Sequence, residues 1–238
     1  MALPVLNASP NYELTIPSTK EKVTFRPFLV KEQKVLLIAN ETNDKVQIVR
    51  AILNVLSSCI NEQVDLYNLA IFDIDYIFTQ IRAKSVGEKV ELNFKCSNCE
   101  EQNDVQVNLE EVYVDVKKTG KDLVVRLTDQ ISVKLKYPDY RTLMGADGIV
   151  KAETATDMMM EVILSSIDSI MTEEENIKAQ DESREDLMAF IESMTAGQFE
   201  KISEFVQDMP SVQKDIEFDC TACGTKNKTV LHGIDDFF

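Results

Sequence analysis

Four of the five cysteines in this chain fall into two Cys-x-x-Cys pairs, Cys96-Ser-Asn-Cys99 and Cys220-Thr-Ala-Cys223. A run of strand character leads into each pair (VELNFK, DIEFD) and another leaves it (DVQVNL, KTVL). Two intervening residues let a chain curl so that both sulfurs face one ion, and Ser97, Asn98 and Gly224 suit the tight turn this needs. Two such knuckles supply four thiolates, a closed tetrahedral set of the kind that holds a structural Zn²⁺. Cys96, Cys99, Cys220 and Cys223 are therefore the candidate metal ligands. Iron in a rubredoxin-like site uses the same four sulfurs. Two separate redox pairs are the third reading, and neither pair has the strand-to-helix turn which that chemistry favours. Because 120 residues lie between Cys99 and Cys220, a shared site means a zinc ribbon split by an insertion. The metal would clamp the end of the chain to its middle.

Charge narrows the partners. With 25 Lys and Arg against 41 Asp and Glu, the net charge is −16, and such a surface repels phosphate backbones. The densest basic stretch, Lys117-Lys118 with Lys121, has acidic neighbours and no interleaved aromatics. No nucleic acid is expected as a partner. No charged leader precedes an apolar run at the N-terminus and no stretch of about 18 apolar residues occurs, so neither a secretory signal nor a membrane segment is expected. A reducing cytoplasm is the expected setting, where paired cysteines point to metal or redox work.

Along the chain, residues 12–16 and 22–26 alternate as an opening hairpin about Pro17-Ser18-Thr19. Helices are predicted over 28–39, 44–60 and 72–83. Strands follow at 88–95, 103–109, 112–116, 123–127 and 131–136, as a continuing antiparallel meander. Helical pattern returns over 154–171 and 184–193, with a solvated acidic connection between them. Thr195-Ala-Gly-Gln198 is a capping-box signature for one more helix, which Pro210 ends. The fold class expected is α+β, helical segments plus antiparallel strands with a split zinc-ribbon-like pair of knuckles that together carry four cysteines. Three regions are expected: an N-terminal hairpin with helices (1–87), a β-rich split ribbon (88–138 with 211–238), and an inserted helical region (139–210).

Catalytic signals are sparse. His232 is the single histidine, which excludes catalytic metal sites built on two or three histidines. No nucleophile elbow, P-loop or dinucleotide fingerprint is present. Cys59 reads as a small buried apolar residue, on one helix face with Ile48, Ile52 and Leu56. Asp73 and Asp75, two apart on a helix, read as complements of its positive N-terminal end rather than a metal pair. The Met158-Met159-Met160 run reads chiefly as adaptable core filling. The Met-rich helix at 158–171 and the terminal Ile234-Asp-Asp-Phe-Phe238 are the candidate contact surfaces. No catalytic or cofactor-binding residue is assigned, and the chain is not expected to be an enzyme.

The segments TFRPFLVKEQKVLLIA (24–39) and FDIDYIFTQIRAKSVGE (72–88), taken with the two knuckles, resemble the T-even-type bacteriophage baseplate protein family over roughly residues 10–235. The resemblance implies a viral tail-assembly or virion-structural role at the baseplate hub, without enzymatic activity. Its partners would be other hub and tail proteins in the host cytoplasm during assembly or in the virion, and a homo-oligomer stays open. A zinc-ribbon adaptor of a phage transcription or replication complex is the alternative. A basic patch beside the knuckles would favour that adaptor.

Overall fold

The computed structural model describes residues 10–117, 123–144 and 154–232. The tail at 234–238, and Lys118 and Lys121 of the basic stretch, lie outside them. In chain order the elements are β1 (Tyr12–Thr15), β2 (Lys22–Phe25), α1 (Val30–Glu41), α2 (Lys45–Cys59), α3 (Ile71–Val86), β3 (Lys89–Lys95), β4 (Gln102–Asn108) and β5 (Tyr113–Val114). Next come β6 (Val124–Arg126), β7 (Ser132–Leu135), α4 (Tyr140–Leu143), α5 (Ala155–Ser166), β8 (Ile167–Met171) and β9 (Asn176–Lys178). The last are α6 (Arg184–Glu192), α7 (Ala196–Gln207), β10 (Val212–Asp219) and β11 (Lys226–His232). The result is a mixed helical and antiparallel-sheet protein, in two compact units. The first unit takes residues 1–66, 72–115 and 211–238, and the second takes 67–71 and 116–210.

In the first unit, β1 and β2 pair antiparallel from Tyr12↔Phe25 to Thr15↔Lys22 and bury Leu14, Val23 and Phe25. Their turn is fastened by Asp73, a fully buried carboxylate that accepts from Ser18 N at 2.9 Å and Ser18 Oγ at 2.5 Å. Asp73 thus does more than complement the N-terminal end of α3, because it also satisfies a turn 55 residues away. Helix α2 starts under Asp44, whose side chain accepts from Val46 N and Gln47 N. Of the predicted face it buries Leu56 and Cys59, while Ile48 and Ile52 are half-buried and Leu53 and Val55 are buried instead. Burial pushes the Cys59 thiol up to about 11, so it is an inert core residue. Helix α3 buries Ile74, Ile77 and Ile81.

The start of α1 contains an ion pair between a buried Glu32 and a half-buried Arg26. Glu32 accepts from Leu29 N at 2.7 Å and from Arg26 Nη2 at 3.0 Å. Burial pushes its carboxyl up, but the Leu29 N–H and the Arg26 guanidinium outweigh that and hold it below the ordinary value. A depressed folded pKa contributes stability above the unfolded value of 4.5, and that contribution is lost as pH falls through the folded value. Glu32→Gln is expected to cost about 2 kcal/mol at neutral pH. It should also flatten the acid limb of a denaturant-stability profile below pH 4.5.

The second unit departs from the expected inserted helical region. Residues 167–171 form β8 rather than the end of a helix: α5 stops where Ile167 turns extended, and β8 pairs with β7 and β9. The Met159, Ile163, Ile167, Ile170 spacing fits a helix face, but β-branched Ile167 and Ile170 also fit a strand, and pairing decides. Strands β6 and β7, expected beside the knuckles, join β8 and β9 in one sheet of order β6-β7-β8-β9. Strand β5 likewise does not continue a meander and instead pairs with β10. The core of this unit gathers Val133, Leu135, Ile163, Ile167, Ile202 and Phe205. Met159, Met160, Met188, Met194 and Met209 pack around it as adaptable filling. Helix α7 opens as its signature predicts, with Gln198 Oε1 accepting from Thr195 N at 2.9 Å.

Candidate metal centre

Two hairpins of the first unit carry the four cysteines. Strands β3 and β4 pair from Lys89↔Asn108 to Lys95↔Gln102, and β10 and β11 pair from Gln213↔His232 to Asp219↔Lys226. Each tip folds in the same way. Cys96 N donates to Glu101 O at 2.8 Å and Glu100 N to Cys96 O at 3.0 Å. Cys220 N donates to Thr225 O and Gly224 N to Cys220 O, both at 2.9 Å. The residue after each second cysteine is left-handed, Glu100 at φ 59° and Gly224 at φ 70°. Glycine adopts that geometry without the steric cost that a glutamate bears.

The tips bring all four Sγ atoms within 4.8 Å of one another. Cys96 Sγ lies 3.7 Å from Cys223 Sγ, and Cys99 Sγ lies 3.6 Å from Cys220 Sγ. A tetrahedral ion with metal–sulfur bonds of about 2.3 Å sets its sulfurs about 3.8 Å apart. The cluster therefore has the dimensions of a four-thiolate site and could hold a metal ion. Cys96 and Cys220 are buried, whereas Cys99 and Cys223 are exposed, so the site has one closed side and one open side.

The four thiols sit in unequal electrostatic settings. The backbone N–H groups of Cys99 and Asn98 hold the Cys96 thiol below its ordinary value, with help from Asn227. The Thr225 hydroxyl and N–H draw Cys223 down to about 5. At Cys99 the Glu101 N–H, the largest single influence, also pulls downward. The sulfurs of Cys223, Cys220 and Cys96, together with burial, outweigh it and push Cys99 up to about 12. Four thiolates cannot ionise together at this spacing without a positive charge among them.

Two further residues escaped the sequence reading. Asn103 Oδ1 accepts from Thr221 N at 2.8 Å and Thr221 Oγ1 at 3.0 Å, while its Nδ2 lies 3.7 Å from Cys220 Sγ. Asn227 Oδ1 accepts from Ser97 N at 2.9 Å and Ser97 Oγ at 2.8 Å, while its Nδ2 lies 3.6 Å from Cys96 Sγ. Both asparagines are buried, and each reaches from its own hairpin to the opposite knuckle. The detectable signal was a repeat, Cys-[Ser/Thr]-x-Cys-x-x-x-Asn, which occurs at residues 96–103 and 220–227. His232 closes β11 and Cys59 sits in α2, so the structure brings neither to the cluster.

Fold and site together define an α+β protein with two equivalent knuckles meeting at a four-cysteine cluster. The model of a family described as T4 bacteriophage base plate protein matches residues 9–238, nearly the whole chain, and the chain belongs to that family. Comparison with curated proteins and with solved structures gave no match. The family implies other phage tail proteins as partners. Among the described residues, no helix is long and apolar enough to cross a membrane.

Proposed function

We propose that the chain is a non-enzymatic component or assembly protein of the baseplate hub, with its two knuckles joined by one structural Zn²⁺. The family match over residues 9–238 carries the baseplate part of this reading. The four-sulfur cluster supports the metal part. Bound zinc would supply a cross-link, with Cys96, Cys99, Cys220 and Cys223 as its ligands and no position open to a substrate. Assembly would proceed in the host cytoplasm, on other hub and tail proteins.

The surface beside the knuckles favours this reading over an adaptor acting on a transcription or replication complex. Lys95, Lys226 and Lys228 are exposed there, but so are Glu100, Glu101, Asp104, Glu217 and Asp219. Lys228 is also paired with Glu217. This is not the basic stripe that nucleic acid requires.

Phage lacking a working copy of the chain provides the test. Tails should then form without a complete central hub, a defect that the parent chain repairs and Cys220→Ser repairs poorly. Complete hubs in the absence of the chain, with the defect confined to the baseplate periphery, would refute the hub assignment.

A further inference from the structure

We propose that Asn103 and Asn227 are reciprocal positioning residues that hold the two knuckles in register without the metal, so that the ion enters a preformed four-cysteine cradle. The inference rests on the metal reading above and adds the elements that build the cradle.

The two hairpins share one register and place their equivalent residues at matching positions. Strands β3 and β4 flank the first tip over the same seven-residue register that β10 and β11 use around the second. Phe94 and Phe218, each two residues before the first cysteine of its knuckle, meet with ring centroids 5.7 Å apart. Each asparagine lies seven positions after the first cysteine of its own knuckle, opposite the phenylalanine in the pairing Phe94↔Asn103 or Phe218↔Asn227. The pair of hairpins is thus a pseudo-two-fold arrangement in which each contact made by Asn103 on one side has its counterpart, made by Asn227, on the other.

The asparagine amides are fully used. Asn103 Nδ2 donates to Glu101 O at 2.8 Å and Asn227 Nδ2 donates to Thr225 O at 2.9 Å, which anchors each side chain to its own tip. Each Oδ1 then accepts an N–H and a hydroxyl from the far knuckle, and these donors fix which way the amide faces. Four hydrogen bonds to the asparagine carbonyl oxygens therefore cross between the hairpins, and none of these four includes a metal ligand's sulfur. Separating the knuckles would strand the buried carbonyl oxygens, which stay favourable only when hydrogen-bonded. The remaining amide hydrogens face the sulfurs of the buried cysteines, Cys220 and Cys96. Outer contacts of this kind set the orientation and charge of metal ligands. The open side, at Cys99 and Cys223, is where an ion would enter.

Small structural zinc domains commonly fold only with their metal. The reciprocal clamp predicts different behaviour. With the protein stripped by chelator, the Ser97 and Thr221 amides of the parent should stay protected from hydrogen exchange. Asn103→Ala should release Thr221 alone, and Asn227→Ala should release Ser97 alone. Asn227→Asp keeps the oxygen acceptor, and should keep Ser97 protected even if the alanine variants fold poorly. In chelator competition with Co²⁺ or Zn²⁺, each alanine variant should bind roughly 10–100-fold more weakly than the parent. Unprotected Ser97 and Thr221 amides in the stripped parent would overturn the clamp, as would alanine variants that bind metal like the parent. A parent that takes up no metal would sink the metal reading instead, while the exchange pattern would still judge the clamp.

Discussion

Cys220→Ser is expected to remove the metal and to lower unfolding stability in zinc-replete buffer by roughly 3–5 kcal/mol, the scale of a cross-link closing a long loop. The ion would tie Cys99 to Cys220, 121 positions apart, and no disulfide among the cysteines substitutes for that tie. Serine keeps the size of the side chain but not the thiolate, so three ligands remain on a site built for four. Chelator added to the parent should reproduce the loss, and the same chelator should do little to the variant. Denaturant unfolding of both proteins, with and without chelator, measures the effect. Equal stability across all four conditions would mean that the cysteine cluster is not a cross-link.

Ile81→Ala should be about as costly for a different reason. Ile81 has no exposed surface and lies on the buried face of α3 with Ile74 and Ile77. Truncating it leaves a cavity in packed surroundings, which costs about 3–4 kcal/mol. The metal should stay bound, because no ligand and neither asparagine is touched. The two variants together separate causes: one loses stability with its metal, the other keeps its metal and loses stability. If Ile81→Ala were purified metal-free at a temperature well below its melting point, metal retention would be reporting general folding rather than the cradle.

How much of this was legible in the sequence varies with how local the cause is. The cysteine cluster was legible because Cys-x-x-Cys spacing between strands carries its own geometry, whatever the distance between the pairs. Helix α7 was legible from Thr195, Gln198 and Pro210, which lie close together at its two ends. Strand β8 was not. Its Ile-Asp-Ser-Ile-Met sequence continues the helical spacing of α5, and only pairing with β7 and β9 makes it extended. For the same reason β5 could not be placed, since its partner β10 is remote in sequence. Asp73 was read as a helix-terminal charge because its acceptor role depends on Ser18, in another element. Asn103 and Asn227 lie in ordinary strand positions, and a single buried asparagine leaves no periodic trace. Their shared offset from the cysteines becomes visible only when the two hairpins are set side by side.

Metal content of the natively purified parent, read by elemental analysis beside a count of reactive thiols, tests the central claim most directly. One zinc per chain is predicted, with the four knuckle thiols unreactive until the metal is stripped and Cys59 reactive only on unfolding. A metal-free chain with four thiols titrating in the native state would contradict the metal cross-link.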